Sequence, residues 1–505
     1  MKLIQPKSIP AIDAGWMQSA GKTEEALIRM AGEAVAKEIL ALPVKGEVLI
    51  LVGGGNNGAD GYATALSLHR AGVCARVVDV LGKGQRSEGG RALLAEYCAM
   101  LGEPLTADVL RADTDAAILV EAVMGSGASG VLSAQAKEVA LWLSRQRGYK
   151  IAVDVPLGVD ADLGEVGDTS LTFDMTVVLS LPKRGLLSYP ARELCGKLVF
   201  ADLDIPVHDF EDFFAGETVD ADYVRTHLPP RAKNSHKGSF GRLQIFGGSR
   251  RYRGAAHLAA LAALRMGVGL LTLTTEEAVI GTVARRLPEL LFDEEAPVSS
   301  WTAEDIARKC IESDTASAIV VGPGLGVSRP LYDFLVALTA REGAPLLLDA
   351  DALGAIAAYA PDVDAFFQSA ERPIALTPHP LELGRLIGRT AKAVQEKRMR
   401  ITMEYAKKWR VSLLLKGAGT LIADEERLLI NTTGSSALAK GGSGDVLSGA
   451  VGALLAQGVS ATEALAIGAY LHGAAGDTLA DELSEYGVLP SELARGMAKE
   501  IKKIK

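Results

Sequence analysis

The sequence predicts an α/β protein made of two successive domains, each built on a doubly wound, mostly parallel sheet. Three observations carry this. Short β-branched runs alternate with amphipathic stretches at spacings of about 25 to 40 residues, the rhythm of repeated βαβ units. At 505 residues the chain is too long for one ordinary core. Between Pro206 and Asp222 the periodicity lapses into an acidic stretch (Asp209, Glu211, Asp212, Glu217, Asp220, Asp222). The boundary is placed there, giving domains of residues 1–215 and 223–505.

The elements follow in order. The stretch from Thr23 to Leu40 carries apolar residues at helical spacing and predicts an opening helix. Glu47 to Val52 reads as a buried parallel strand, with a helix from Ala59 to Ala71 after it. Further strands are predicted at Ala75–Val80, Ala117–Val120, Lys150–Val155 and Met175–Leu179. The second half restarts with a strand at Leu243–Phe246, a Gly-rich turn and an Ala-rich helix from Gly254 to Met266. Strands at Leu270–Thr274, Ala318–Val321, Leu346–Leu348, Ile374–Leu376 and Ser412–Leu415 continue it. The halves show no close repeat, which points to two unrelated αβ domains.

Composition narrows the function. A net charge of −9 argues against a nucleic-acid or anionic-membrane surface as the main partner. No signal peptide opens the chain and no run reaches the roughly 18 apolar residues of a membrane span, so a cytoplasmic protein is expected. The four cysteines (Cys74, Cys98, Cys195, Cys310) form no C-x-x-C pair and read as small buried apolar residues. The Ala-rich helices suit close subunit packing, and a homo-oligomer is expected.

The stretch Leu438 to Asp445 carries the most chemistry. Gly441-Gly442-Ser443-Gly444-Asp445 runs into an apolar helical segment. A helix N-terminus leaves N–H groups unpaired, and with the helix dipole they attract phosphate. Glycines let a phosphate approach the main chain, and Asp445 stands where it could take a proton from a hydroxyl. Four other loops fall at strand ends, where open α/β sheets bind ligands. They are Gly322-Pro323-Gly324-Leu325-Gly326, Asp349-Ala350-Asp351-Ala352-Leu353, Thr377-Pro378-His379-Pro380 with Glu382, and Lys416-Gly417-Ala418-Gly419-Thr420. Singly each is ordinary turn chemistry; five together point to a nucleotide enzyme.

With His236-Lys237-Gly238, Gly247-Gly248-Ser249, Gly254-Ala255-Ala256 and Gly267-Val268-Gly269-Leu270, these motifs make the C-terminal half resemble the ADP- or ATP-dependent NAD(P)H-hydrate dehydratases. The resemblance spans about 260 residues and implies a ribokinase-like fold. It departs at Leu381, where the family has Gly. It implies that Asp445 deprotonates the ring hydroxyl of a hydrated nicotinamide for attack on the terminal phosphate of ADP. The amides of Gly442, Ser443 and Gly444 form the phosphate hole. Lys416, Gly417, Ala418, Gly419, Thr420 and Gly444 hold ADP, with ATP an alternative. Ala256, Gly326, His379 and Asp445 contact the hydrate, and Mg2+ bridges the phosphates. A ribokinase-like kinase for a vitamin-precursor hydroxyl, or a nucleotide-binding interaction module, remain as alternatives.

In the N-terminal half, Gly53-Gly54-Gly55-Asn56-Asn57-Gly58-Ala59-Asp60-Gly61, Glu121 to Gly127 and Ala152-Val153-Asp154-Val155-Pro156 resemble the NAD(P)H-hydrate epimerase domain, which implies a Rossmann-like fold. Asp13, Gly21 and Met30-Ala31-Gly32 fit the same pattern. The resemblance implies substrate binding by Asn56, Asn57, Gly58, Ala59 and Asp60 and by Gly125, Ser126, Gly127, Ala128, Ser129, Gly130 and Val131. Asp154 is the implied catalytic carboxylate. A potassium ion is held in that family by positions matching Asn57, Glu121 and Leu157. Here Ala59 replaces Gly, Glu121 replaces Asp and Leu157 replaces Ser. The longer carboxylate intrudes on the ion, and leucine brings no hydroxyl.

Overall fold

The computed structural model describes residues 1–80, 86–127, 130–167 and 171–505. Two compact units divide the chain, Lys2–Glu217 and Thr218–Lys505, the second with Met1.

In the N-terminal unit, β1 (Lys2–Ile4) precedes helices Ile9–Ala20 and Glu24–Ala41. Seven parallel strands follow: β2 (Val48–Val52), β3 (Ala75–Asp79), β4 (Leu105–Thr106), β5 (Ile118–Ala122), β6 (Tyr149–Val153), β7 (Met175–Val178) and β8 (Lys197–Phe200). Their order is β4-β3-β2-β5-β6-β7-β8. The order reverses beside β2, so the ends of β2, β5 and β6 open onto the switch point where such sheets take ligands. Every residue of β2 and β5 is buried, as strands covered on both faces must be. Glu121 is buried with them, and it is the one charge on β5.

Two expectations need correction. The helix after β2 begins at Asn56, not Ala59, and runs to Arg70. Gly58 makes this possible, because a Cβ there would stand 2.1 Å from the Gly53 carbonyl oxygen. The acidic stretch is also ordered. It contains a short 3-10 segment, Val207–Phe213, and β9 (Phe214–Val219), which pairs antiparallel with β1, Lys2 opposite Glu217.

The C-terminal unit has β10 (Arg242–Phe246), β11 (Leu270–Glu276), β12 (Leu291–Glu295), β13 (Ala318–Val321), β14 (Leu346–Leu348), β15 (Ile374–Leu376), β16 (Ser412–Leu415), β17 (Thr420–Ala423) and β18 (Leu428–Asn431). Their order is β18-β17-β16-β15-β14-β13-β10-β11-β12, parallel except for the two pairings among β16, β17 and β18. Helix Ser443–Ala456 packs tightly on helix Arg253–Arg265: a Cβ at Gly449 would fall 1.9 Å from the Ala259 carbonyl oxygen. Small residues on both helices allow that approach, and their alanines and leucines form the centre of this unit's core. Among the described residues no helix is long and apolar enough to cross a membrane. Cys195 and Cys310 are buried as expected, whereas Cys74 is exposed.

Candidate active sites

In the C-terminal unit the five predicted loops meet at one end of the sheet. Gly442 takes φ 102°, a left-handed conformation that suits glycine, and turns the chain into helix Ser443–Ala456. The N–H of Ser443 donates to the Lys440 carbonyl at 3.2 Å. It is therefore not free for a phosphate, which corrects the expected hole. The N–H groups of Gly444 and Asp445 have no acceptor among the described residues, and the Ser443 hydroxyl is buried without a partner. The Lys416 ammonium lies beside this helix start, 3.5 Å from where a Cβ on Gly444 would stand. Free amides, a helix dipole and a cation together make an anion site.

Lys416 is itself fixed by carboxylates. Its Nζ donates to Asp349 Oδ1 at 2.9 Å and lies 3.8 Å from Glu382 Oε2. Burial works against the ammonium, but Asp349 and Glu382 outweigh it and hold its pKa above the ordinary lysine value. The other oxygen of Asp349 accepts from the Ser448 hydroxyl. Asp351, on helix Asp351–Tyr359, accepts from the Gly326 N–H at 2.8 Å. This contact ties the Gly-rich loop after β13 to the loop after β14. Gly322 seals the same junction: at φ 134° its Cβ would stand 1.8 Å from the Asp349 carbonyl oxygen.

Asp445 stands in the first turn of its helix with Asp349 and Asp351 nearby. Burial, then the charge of Asp349, push its carboxyl up to about 7, with Lys416 pulling the other way. A carboxyl poised near neutrality is matched to taking a proton at physiological pH.

His379 caps helix Pro380–Leu386: its Nδ1 accepts from the Leu381 and Glu382 N–H groups, each at 3.2 Å, and Glu382 accepts the His379 N–H in return. Leu381 is exposed in the first turn, so the departure from glycine leaves the turn intact. Lys416, Gly417, Ala418, Gly419 and Thr420 form the bend between β16 and β17, with Thr420 opening β17. Gly326, at φ 85°, has open space where a Cβ would project. Ala256, expected against the hydrate, is instead wholly buried, its methyl 2.8 Å from where a Gly248 Cβ would stand.

Sequence reasoning missed Ser448 and Arg398. Arg398 is buried and donates to the Leu415 and Lys416 carbonyls at 3.3 Å, holding the loop that carries Lys416. Burial lowers its pKa to about 10. Its distance from every Gly-rich motif hid it.

In the N-terminal unit a cavity of about 860 Å³ opens at the ends of β2, β5 and β6, lined among others by Asn56, Asn57, Asp60, Gly125, Ser126, Gly127 and Asp154. Gly58 and Ala59 are buried in helix packing and do not line it; nor do Gly130 and Val131, the latter 76% exposed. Ala128 and Ser129 lie outside the described residues. Asp154, at φ 68°, turns out of β6 and accepts from the Ser126 N–H at 3.1 Å and the Leu179 N–H at 3.2 Å. Its remaining partner is Lys183, almost wholly buried, whose Nζ donates to Asp154 Oδ1 and the Leu179 carbonyl. Lys183 was not expected. It lies in no recognisable motif, and only the tertiary fold brings it to Asp154.

The residues at the potassium position do not fit that ion. Glu121 Oε1 accepts from the Val123 N–H at 2.8 Å, and Oε2 from the Leu157 N–H at 3.1 Å. Full burial pushes its carboxyl up to about 8, against the pull of those N–H donors. Both oxygens of this carboxyl are already taken up by backbone N–H groups, and Leu157 has no side-chain oxygen to offer a cation. The Asn57 amide is buried without a hydrogen-bond partner among the described residues.

Comparison with known proteins agrees with this division. A family model described as NAD(P)H-hydrate dehydratase matches residues 243–499, and one described as YjeF-related protein N-terminus matches residues 24–185. The bifunctional NAD(P)H-hydrate repair enzyme of Moorella thermoacetica is 34% identical over 88% of this chain and 86% of its own. That of Coxiella burnetii is 33% identical over 94% of each. An ADP/ATP-dependent NAD(P)H-hydrate dehydratase from Bacillus subtilis, co-crystallised with ATP and Mg2+, superposes with a TM-score of 0.50 at 32% identity, covering 57% of this chain and 99% of that one. With both models matched in order and full-length relatives above 30% identity, this chain belongs to the bifunctional NAD(P)H-hydrate repair enzyme family.

Proposed function

We propose that this cytoplasmic enzyme repairs hydrated NADH and NADPH, as an isomerase in its N-terminal unit and a lyase in its C-terminal unit. The first interconverts the R and S hydrates. The second dehydrates the S hydrate with ADP, releasing AMP and phosphate. The observation that carries this reading is Asp445, a carboxyl near neutrality, set one residue from free amides and the Lys416 ammonium.

Hydroxide is a poor leaving group, so the hydroxyl must first be phosphorylated. Asp445 takes the hydroxyl proton as the oxygen attacks the terminal phosphate of ADP. The N–H groups of Gly444 and Asp445, with Lys416, stabilise charge on the transferring phosphoryl group. Phosphate then leaves as the ring nitrogen lone pair forms a C=N bond, and a proton lost to solvent from the neighbouring ring carbon restores the C=C bond and the nitrogen lone pair. Gly326 and His379 contact the hydrate, and the bend from Lys416 to Thr420 holds the adenine nucleotide. Asp351, close to Asp445, would hold Mg2+, which would supply neutralisation of phosphate charge when bound. The net charge of −9 argues against nucleic acid as a partner. The proposed partners are small molecules and further copies of the chain in a homo-oligomer.

The test is recovery of reduced-nicotinamide absorbance from a mixture of both hydrate epimers with ADP and magnesium. Full recovery supports both activities. A halt once the S epimer is consumed removes the epimerase. A stable phosphorylated product marks a kinase instead.

A further inference from the structure

The N-terminal cavity sets three carboxyls, Asp13, Asp60 and Asp154, around one ammonium, Lys183. Their partners divide them. Asp154 accepts Lys183 and two backbone N–H groups. Asp13 accepts the Ser180 hydroxyl at 3.4 Å. Asp60, on the first turns of helix Asn56–Arg70, is 9% exposed, and its carboxyl has neither hydrogen bond nor ion pair among the described residues. It faces Asp154 and Asp13 as like charges, and Lys183 is already committed to Asp154 and the Leu179 carbonyl. Lys7, Glu24, Asp160 and Asp162 complete the ionisable lining. Burial first, then Asp154 and Asp13, drive the Asp60 carboxyl well above its ordinary range. Two carboxyls thus face one cavity in different settings: Asp154 is held by an ammonium and two N–H groups, and Asp60 has no such partner among the described residues, the kind of inequality that separates an acid from a base.

We infer that Asp60 is the proton donor and Asp154, oriented by Lys183, the proton acceptor of hydrate epimerisation. This rests on the reading of the unit as an epimerase. Water added across an enamine leaves its hydroxyl on the carbon beside the ring nitrogen. Asp60 gives its proton to that hydroxyl, the C–O bond breaks, and water departs as the nitrogen lone pair forms a C=N bond. A second water attacks the opposite face, its oxygen bonding to carbon while Asp154 takes its proton. The proton returns from Asp154 to Asp60 through solvent, and nothing is oxidised or reduced.

The experiment follows conversion of pure R hydrate to S hydrate by the full-length protein in H2 18O without nucleotide, corrected for the spontaneous reaction. Wild type is expected to place one 18O in each inverted molecule. Asp60→Asn should lose about 100-fold or more in kcat with little change in KM. Asp60→Glu should recover part of it, and the fall of rate at high pH in wild type should vanish in Asp60→Asn. Inversion that retains the original oxygen overturns the inference whether or not any variant folds. So does an Asp60→Asn rate close to wild type, or an effect on KM alone. Absence of inversion in wild type overturns the epimerase reading and this inference with it.

Discussion

Asp445 works through the charges around it. Its pKa, raised from 3.8 to about 7, means that the folded chain prefers its protonated form. The stability this contributes is fully present below pH 4 and is lost as pH rises through 7. As a base it must be ionised, so dehydration should rise with pH and level off above about 7, measured as kcat at saturating ADP. Asp445→Asn should lower dehydration by about 100-fold or more while nucleotide binding, read by calorimetry, persists. The same variant should melt higher than wild type at pH 8 and no higher at pH 4. Retained turnover would remove Asp445 from the chemistry.

At the scale of elements, function depends on close backbone contact. Helix Ser443–Ala456 reaches its place because Gly449 lets it lie against Ala259. Gly449→Ala inserts a methyl where the Ala259 carbonyl stands and should cost about 1–3 kcal/mol, visible in denaturant unfolding. Activity should fall with it, since the helix start carries the amides and Asp445. In the N-terminal unit the end of β5 carries the residue at the expected potassium position. Glu121 occupies that position with a carboxyl satisfied by backbone N–H groups. Replacing potassium with sodium at constant ionic strength should leave epimerisation unchanged, and a clear potassium requirement would overturn the assignment.

For the whole molecule, each unit has its own core and its own candidate site. Point changes in one should therefore spare the other. Full-length Asp154→Asn should still dehydrate S hydrate at the wild-type rate but leave R hydrate to its slow spontaneous inversion. Full-length Asp445→Asn should interconvert the epimers without consuming either. Loss of both activities from either single change would show that the sites are coupled.

Much of this was legible from residue order. The alternation of strands and helices, the strand-end loops and the Gly-rich run before Asp445 are local patterns, since β-propensity, turn chemistry and helix starts depend on near neighbours. By itself the sequence determined the α/β class and the two-part order, and it marked candidate residues for both sites. Other features depended on contacts between distant segments. Lys183 meets Asp154 across 29 positions, Ser448 meets Asp349 across 99, and Arg398 meets the Leu415 carbonyl across 17. Burial also depends on such contacts. It removed Ala256, Gly58 and Ala59 from the exposed lining and set the pKa values of Asp60, Glu121 and Asp445. Only the tertiary structure decided these, because desolvation and charge pairing arise where the folded chain brings remote groups together and excludes water.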